Sequence, residues 1–211
     1  MKRASSARSA GKKKQGNEIY WILGVMAAIL LILIITPFIM QSFRTFDYQG
    51  LTFTKEKFSE ITVYHYPYHF SDDVGQQYLY NLYLRIDPRE NKVPFDGEIK
   101  FISSEPIYVS INSTGLSQCT RSLRDVASLS NFLASNLFDI RSGTPDAEEA
   151  ERLSLRHVTC DTHPNATVII VQAGNETRIV QQNACYILSA KECDTLSAVE
   201  KFMTRALIDA R

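Results

Sequence analysis

Ile19-Tyr20-Trp21-Ile22-Leu23-Gly24-Val25-Met26-Ala27-Ala28-Ile29-Leu30-Leu31-Ile32-Leu33-Ile34-Ile35-Thr36-Pro37-Phe38-Ile39-Met40 holds no charged residue in 22 positions. As a helix it would be about 33 Å long, enough to cross a hydrocarbon core of about 30 Å. Tyr20 and Trp21 stand at one end, where amphipathic rings favour the lipid–water boundary. Pro37 lies near the other end, where a lost backbone bond does least harm. The stretch divides the chain into a short tail (1–18), a span (19–40) and a long outer part (41–211).

The flanks set the orientation. Lys2, Arg3, Arg8, Lys12, Lys13 and Lys14 precede the span, and no acid comes before Glu18. Short basic flanks stay cytoplasmic, so the domain after Met40 is expected on the extracytoplasmic side of the cell membrane. The apolar run exceeds the 7–15 residues of a cleaved signal peptide, and Met40-Gln41-Ser42 offers no small-x-small cleavage site. The segment reads as an uncleaved signal anchor, and the Ser-, Gly- and Lys-rich tail as disordered. Of 23 basic residues six precede the span, against one of 23 acidic residues, leaving 17 basic and 22 acidic beyond it. That mildly acidic balance gives no reason to expect a nucleic-acid face.

The outer part, about 170 residues, suffices for one domain with its own core. Cys119, Cys160, Cys185 and Cys193 all lie there. An even number on the translocated side points to disulfides, and of the three pairings Cys185 with Cys193 and Cys119 with Cys160 are preferred. Sequons at Asn112, Asn165 and Asn175 mark candidate glycosylation sites and suit an exported domain.

Strand alternation fills the first half. Phe43 to Phe53 reads as a strand or two around Gly50, and Lys55-Glu56-Lys57 as a turn. Ile61, Val63 and His65 then alternate with Thr62, Tyr64, Tyr66 and Tyr68, with Pro67 marking an end or an edge. Tyr78, Tyr80, Leu82, Leu84 and Ile86 form the next apolar face, and Ile99, Phe101, Ile107, Val109 and Ile111 continue the pattern. After Cys119 the period changes. Leu123, Val126, Leu129, Leu133 and Leu137 predict a helix over 120–138, and Thr144-Pro145-Asp146 a short one. Thr167–Val171, apolar on both faces, reads as a central strand. Gly174-Asn175 is read as a hairpin turn into Arg178–Val180, Cys185–Leu188 as a further strand, and 195–210 as the last helix. The expected fold class is α+β, one mixed and mostly antiparallel sheet carrying two main helices.

Tyr83-Leu84-Arg85-Ile86-Asp87-Pro88-Arg89, Val93-Pro94, the strand after Gly97, and Thr167 to Phe202 with Cys185 and Cys193 resemble a pattern in small archaeal single-pass membrane-anchored proteins. The resemblance implies an anchored extracytoplasmic α+β domain and no site residues. Cys119-Thr120-Arg121-Ser122 at a helix start, with Pro164 ahead of a strand, a hairpin and a helix, resembles a thioredoxin-like oxidoreductase with serine in place of the second cysteine.

Few residues suggest chemistry. His65 and His69, on an extended chain, stand about 13 Å apart, too far to share a metal ion. His157 and His163 flank Cys160 without two further ligands, and oxidised cysteine binds no zinc. Asp72, Asp73, Asp87 and Asp96 read as loop acids, and Glu148, Glu149 and Glu151 as a solvated helix face. The sequence has no phosphate loop and no nucleophile elbow. No metal, cofactor or catalytic residue is therefore expected. Tyr48, Tyr64, Tyr66, Tyr68, Tyr78, Tyr80 and Tyr83 crowd the first half, as core aromatics or as one face for a partner or for headgroups. The leading expectation is a non-enzymatic membrane-anchored protein that touches the lipid bilayer and a protein partner at its outer face. The alternative is a tethered thiol oxidoreductase using Cys119.

Overall fold

The computed structural model describes residues 12–42 and 44–211, and, within the first helix, the side chains of residues 20–36. The chain divides into two units, residues 1–45 and 46–211. The first unit contains helix α1 (Lys12–Ser42). Residues 1–11 of the expected disordered tail lie outside the described residues, and both ends of the expected span lie outside the described side chains. Among the described residues no helix is long and apolar enough to cross a membrane. Every large apolar side chain described in α1, Tyr20 to Ile35, is exposed, and the helix has no distinct polar face.

The second unit begins with an antiparallel meander, β1 (Thr45–Tyr48), β2 (Leu51–Phe58), β3 (Ile61–Ser71) and β4 (Gln77–Leu84), in that spatial order. Alternation makes the sheet two-sided. Leu51, Phe53, Tyr64, Leu82 and Leu84 are buried on one face, while Phe58, Ile61, Leu79 and Tyr83 are exposed. Lys55-Glu56-Lys57, expected as a turn, lies within β2, because Lys55 pairs with Tyr64 and Lys57 with Thr62 in the ladder. Pro67 sits inside β3 opposite Asn81. The register with β2 ends two residues earlier, at Thr54–His65, where the missing proline N–H breaks no bond.

A second sheet of five strands has the order β6-β5-β7-β9-β8. Its strands are β5 (Ile107–Ile111), β6 (Ile140–Gly143), β7 (Val168–Ala173), β8 (Arg178–Gln182) and β9 (Cys185–Ala190). β6, β5, β7 and β9 are parallel, and only β8 is antiparallel. The α+β class therefore holds, but the single mostly antiparallel sheet is corrected to two sheets, one antiparallel and one mainly parallel. β7 is central, as its two apolar faces required. The expected β7–β8 hairpin is overturned: β8 pairs with β9 through a turn at Asn183, and β9 lies between β8 and β7.

Helices α3 (Ser122–Ser135) and α5 (Thr195–Asp209) pack against each other. One core joins them to Ile107, Val109, Ile169, Tyr186 and Leu188 of the parallel sheet and to Leu51, Phe53, Tyr64 and Leu82 of the meander. The two helices thus form a layer between the sheets, and eight residues of α5 are buried. A smaller core of Tyr108, Val158, Val168, Ile170 and Cys185 covers the other face of the parallel sheet. Two shorter helices, α2 (Ser113–Leu116) and α4 (Ala147–Leu153), lie near the strand ends. The N-cap of α4 is Asp146, whose side chain accepts from the N–H groups of Glu148 and Glu149. The segment between β4 and β5, where Ile99 and Phe101 were expected in a strand, has no strand.

Both disulfides differ from the preferred pairing. Cys119 bonds Cys193 and Cys160 bonds Cys185, with Cα separations of 5.4 and 5.5 Å. The reason is strand β9, whose six residues extend from Cys185 toward Cys193. That extended run holds the two α-carbons roughly 20 Å apart, far beyond bridging distance. Cys119–Cys193 ties together the starts of α3 and α5, and Cys160–Cys185 pins the covering loop to the far face of the sheet. Their loops of 74 and 25 residues correspond to about 4 and 3 kcal/mol by chain entropy.

Peptide mapping without reduction is expected to recover only those two pairs. Cys119→Ser and Cys193→Ser are expected to destabilise equally, with the double variant no worse than either. Cys119→Ser combined with Cys160→Ser is expected to lose the sum. A recovered Cys185–Cys193 peptide would refute the pairing.

Candidate functional site: an aromatic groove

β3 places Tyr64, Tyr66, Tyr68 and Phe70 on its helix-facing side because every second residue points the same way. Tyr66 stacks on Tyr68 with centroids 5.6 Å apart, Tyr68 meets Tyr80, and Phe70 stacks on Tyr78 at 5.5 Å. α3 runs alongside this ladder. Near its start Asp125 approaches Arg85; further on Phe132 meets Tyr80 edge-on; past its end Asn136 accepts a 2.7 Å hydrogen bond from the Tyr68 hydroxyl. α3 stops at Ser135, and the sheet continues to Phe70 and Tyr78. The uncovered end is a groove of about 460 Å³ lined by Tyr66, Tyr68, Phe70, Phe101, Phe132 and Phe138, with His69, Leu207 and Arg211 at its margins.

The groove is polar where a ligand could be oriented. Burial pushes the Tyr68 hydroxyl well above the ordinary tyrosine range, so it remains a donor to Asn136. Arg211 donates to the Tyr66 hydroxyl at 3.0 Å and also bonds the Gly50 carbonyl. Through Phe70, Asn136 and Phe138 the groove continues into a second cavity of about 440 Å³ lined by Asp72, Asp73, Glu105 and Asp139. Asp72 is occupied in its loop, accepting from the backbone N–H groups of Val74 and Gln76, while Asp73 is exposed. Both α3 and α5 end beside the groove, and helix C-termini carry partial negative charge. Aromatic walls leading to an acidic end suit a ligand with an apolar body and a cationic group.

The crevice at the carboxyl ends of a parallel sheet is the other customary ligand position. Here α2 fills it: Gly115 packs so closely on Ala173 of β7 that a β-carbon would collide. Glu149 bonds the hydroxyls of Ser113 and Thr144, the latter at 2.7 Å. The Ser113 bond, followed by the Thr144 bond, holds its carboxyl below the ordinary range. Glu149, expected on a solvated face, is thus a buried tie between α4 and the ends of β5 and β6.

Other expected positions fall elsewhere. His65, on the outer face of β3, lies between Glu56 Oε1 and Asn81 Oδ1, each at 2.9 Å, and stacks on Tyr83. Cys119 is spent in its disulfide, and Ser122, in the resolving position of a dithiol motif, shares a buried 2.7 Å bond with the Thr195 hydroxyl. Of the sequon asparagines, Asn165 and Asn175 are exposed, and Asn112 caps α2 by accepting from Thr114 N–H. His157 reaches only the Pro145 carbonyl, at 3.2 Å. Sequence reasoning singled out the tyrosines but not Phe70, Phe101, Phe132, Asn136 or Phe138. The signal was the continued period-two pattern to Phe70 past the end of the α3 periodicity.

One buried carboxylate was not anticipated at all. Glu200, on the meander side of α5, accepts hydrogen bonds from the backbone N–H groups of Arg85 (2.8 Å) and Ile86 (2.9 Å). Burial pushes its carboxyl up to about 7, against the pull of those two amides and of the Arg85 charge. Asp125 lies nearby, 3.8 Å from both Arg85 and Arg124, and burial raises it too.

No family model, curated protein or solved structure matches this chain.

The Glu200 environment predicts a pH dependence of stability. Its pKa in the folded protein exceeds the ordinary 4.5, so the folded state binds the proton first and stability falls as pH rises from about 4.5 to about 7. Glu200→Gln abolishes that slope and leaves one of the two backbone amides facing a donor, at about 1–3 kcal/mol. Denaturant titrations are expected to show the variant less stable at pH 5, with the gap narrowing toward pH 8. A constant gap would show that Glu200 does not titrate in this window.

Proposed function

We propose that the chain is a single-pass membrane protein whose outward domain binds a partner in the aromatic groove and performs no chemistry of its own. Support for the anchor comes from the uncharged run Ile19–Met40 and its basic flank, and from the wholly exposed apolar side chains of α1. Support for the extracytoplasmic side comes from four cysteines joined in two disulfides.

The observation that carries the binding reading is the groove itself. Six aromatic rings line one surface depression of the domain. Rigid aromatic walls bind with little loss of side-chain entropy, and the acidic end selects charge. The partner that fits is an exposed peptide segment with an aromatic or aliphatic residue next to lysine or arginine.

Full-length protein in lipid nanodiscs can be titrated with short fluorescent peptides containing Phe-Lys or Phe-Glu pairs. The lysine peptides are expected to bind about tenfold or more tightly, a difference of about 1.4 kcal/mol. Phe70→Ala should weaken both series, and Asp73→Lys should remove the preference for lysine. Equal binding of the two series, or indifference to both substitutions, would refute the groove as the binding site.

A further inference from the structure

β1 and β2 are joined by Gln49 and Gly50, at φ 48° and 86°, a two-residue turn whose twist suits an antiparallel hairpin. The Thr52 hydroxyl bonds Asp47 at 2.6 Å, and Phe46 stacks on Phe53 at 5.8 Å, as that turn's register requires. Thr45, where the chain joins the sheet, therefore lies level with Thr54. β2 runs on through Lys55–Phe58, and β3 returns from Ile61, paired throughout. At about 3.3 Å per residue the tip of the β2–β3 hairpin extends roughly 13 Å beyond Thr45. It projects opposite to the course of β1, toward the side from which the chain arrives.

That tip is unlike the rest of the hairpin. Phe58 and Ile61 face each other as a cross-strand pair and are 56% and 60% exposed. Lys55 and Lys57 are exposed on the same overhang, together with Glu60 at its apex, while Glu56 is paired with His65. Only Phe43 and Arg44 separate Ser42, the last residue of α1, from Thr45, so the chain allows a gap of about 11 Å at most. A headgroup layer is about 5–8 Å deep on each side of a bilayer.

We propose that the tip of the β2–β3 hairpin is a lipid-binding surface: Phe58 and Ile61 enter the headgroup layer of the leaflet from which the domain emerges, and Lys55 and Lys57 meet its phosphates. The inference rests on the reading of Ile19–Met40 as a membrane span. The short linker keeps the tip within reach of the surface, exposed apolar side chains gain by leaving water, and lysines gain near anionic lipid.

Trp21 is the only tryptophan, so fluorescence can be assigned. Full-length W21F protein carrying F58W, I61W or V74W is reconstituted into phosphatidylcholine–phosphatidylglycerol vesicles with bromines high on the acyl chains. Val74, 87% exposed, lies in the loop at the other end of β3, about 35 Å from the tip. The indoles of F58W and I61W are expected to shift to the blue and to be quenched by the brominated lipid, and that of V74W to do neither. If the protein floats with the vesicles but F58W and I61W are quenched no more than V74W, the tip proposal is overturned and the span stands. Shielding of F58W and I61W from acrylamide without quenching by the lipid would also overturn it, pointing to a protein contact. Failure of the protein to float would refute the span and the tip together.

Discussion

Two backbone N–H groups at the end of β4, those of Arg85 and Ile86, point into the interior and are accepted by one carboxylate, Glu200. An unpaired amide there would cost about 1–3 kcal/mol, so the end of the meander and the middle of α5 are held in one relative position. The same side of α5 continues the arrangement. Asn91 donates to the Ser197 carbonyl, Lys201 to the Asn91 carbonyl, and Asp209 accepts from Ile99 N–H at 2.8 Å. The segment between β4 and β5 touches a strand at one isolated bridge, Phe95 to Ile179 of β8, and several of its other donors are met by side chains of the surrounding elements. Lys100 N–H reaches the Tyr186 hydroxyl, Ile102 N–H the Thr167 hydroxyl and Glu98 N–H the Gln181 amide oxygen. A chain without a ladder can run past a core when its hydrogen bonds are supplied in this way.

This explains one failure of the period-two pattern. Ile99 is buried and Phe101 half-buried, so the residues alternate as a strand would. Alternation reports an extended chain with one side inward; it does not report what accepts the backbone bonds. The donors here go to Asp209, Tyr186 and Thr167, residues 65 to 110 positions away, and no local signal announces that.

Where packing alone sets the pattern, the sequence was readable. The paired faces of β3 and β4, the inward side of α5 and the central place of β7 all follow from periodicity, as do Val126, Leu129 and Leu133 of α3, whereas Leu123 and Leu137, read on the same strip, are exposed. What periodicity cannot supply is the identity of a strand's neighbour. β7 and β8 are adjacent in sequence, and a turn between them was the local reading, but β9 lies between them. The disulfides failed for a related reason. Cys185 and Cys193 are close in sequence, yet β9 carries the chain the length of the sheet between them. A strand ending at Leu188 would have left five residues for the chain to return, but β9 runs on to Ala190. For the candidate site, the tyrosines were legible as one face and the acids as loops. Their meeting was not, because it depends on where α3 ends relative to β3.

That relation is a mismatch of lengths. Eleven residues of β3 extend about 36 Å, whereas the fourteen of α3 and the fifteen of α5 rise only about 21 and 22 Å. From Arg85–Asp125 to Tyr80–Phe132 the contacts pass five strand residues, about 16 Å, against seven helical ones, about 10 Å, and Asn136 then reaches Tyr68, the register partner of Tyr80. The helix layer is pinned near Glu200 and at its start by Cys119–Cys193, and part of the excess sheet is left uncovered at the helix C-termini. The residues that follow there, Phe70 and Tyr78, keep the inward aromatic pattern with no helix to receive them. Shortening β3 to match the helices would remove the groove. Lengthening α3 by two turns would fill it with the helix's own side chains. The open aromatic surface follows from keeping a long meander on a short helix pair, whose surplus is shared between that surface and the overhanging tip of the β2–β3 hairpin.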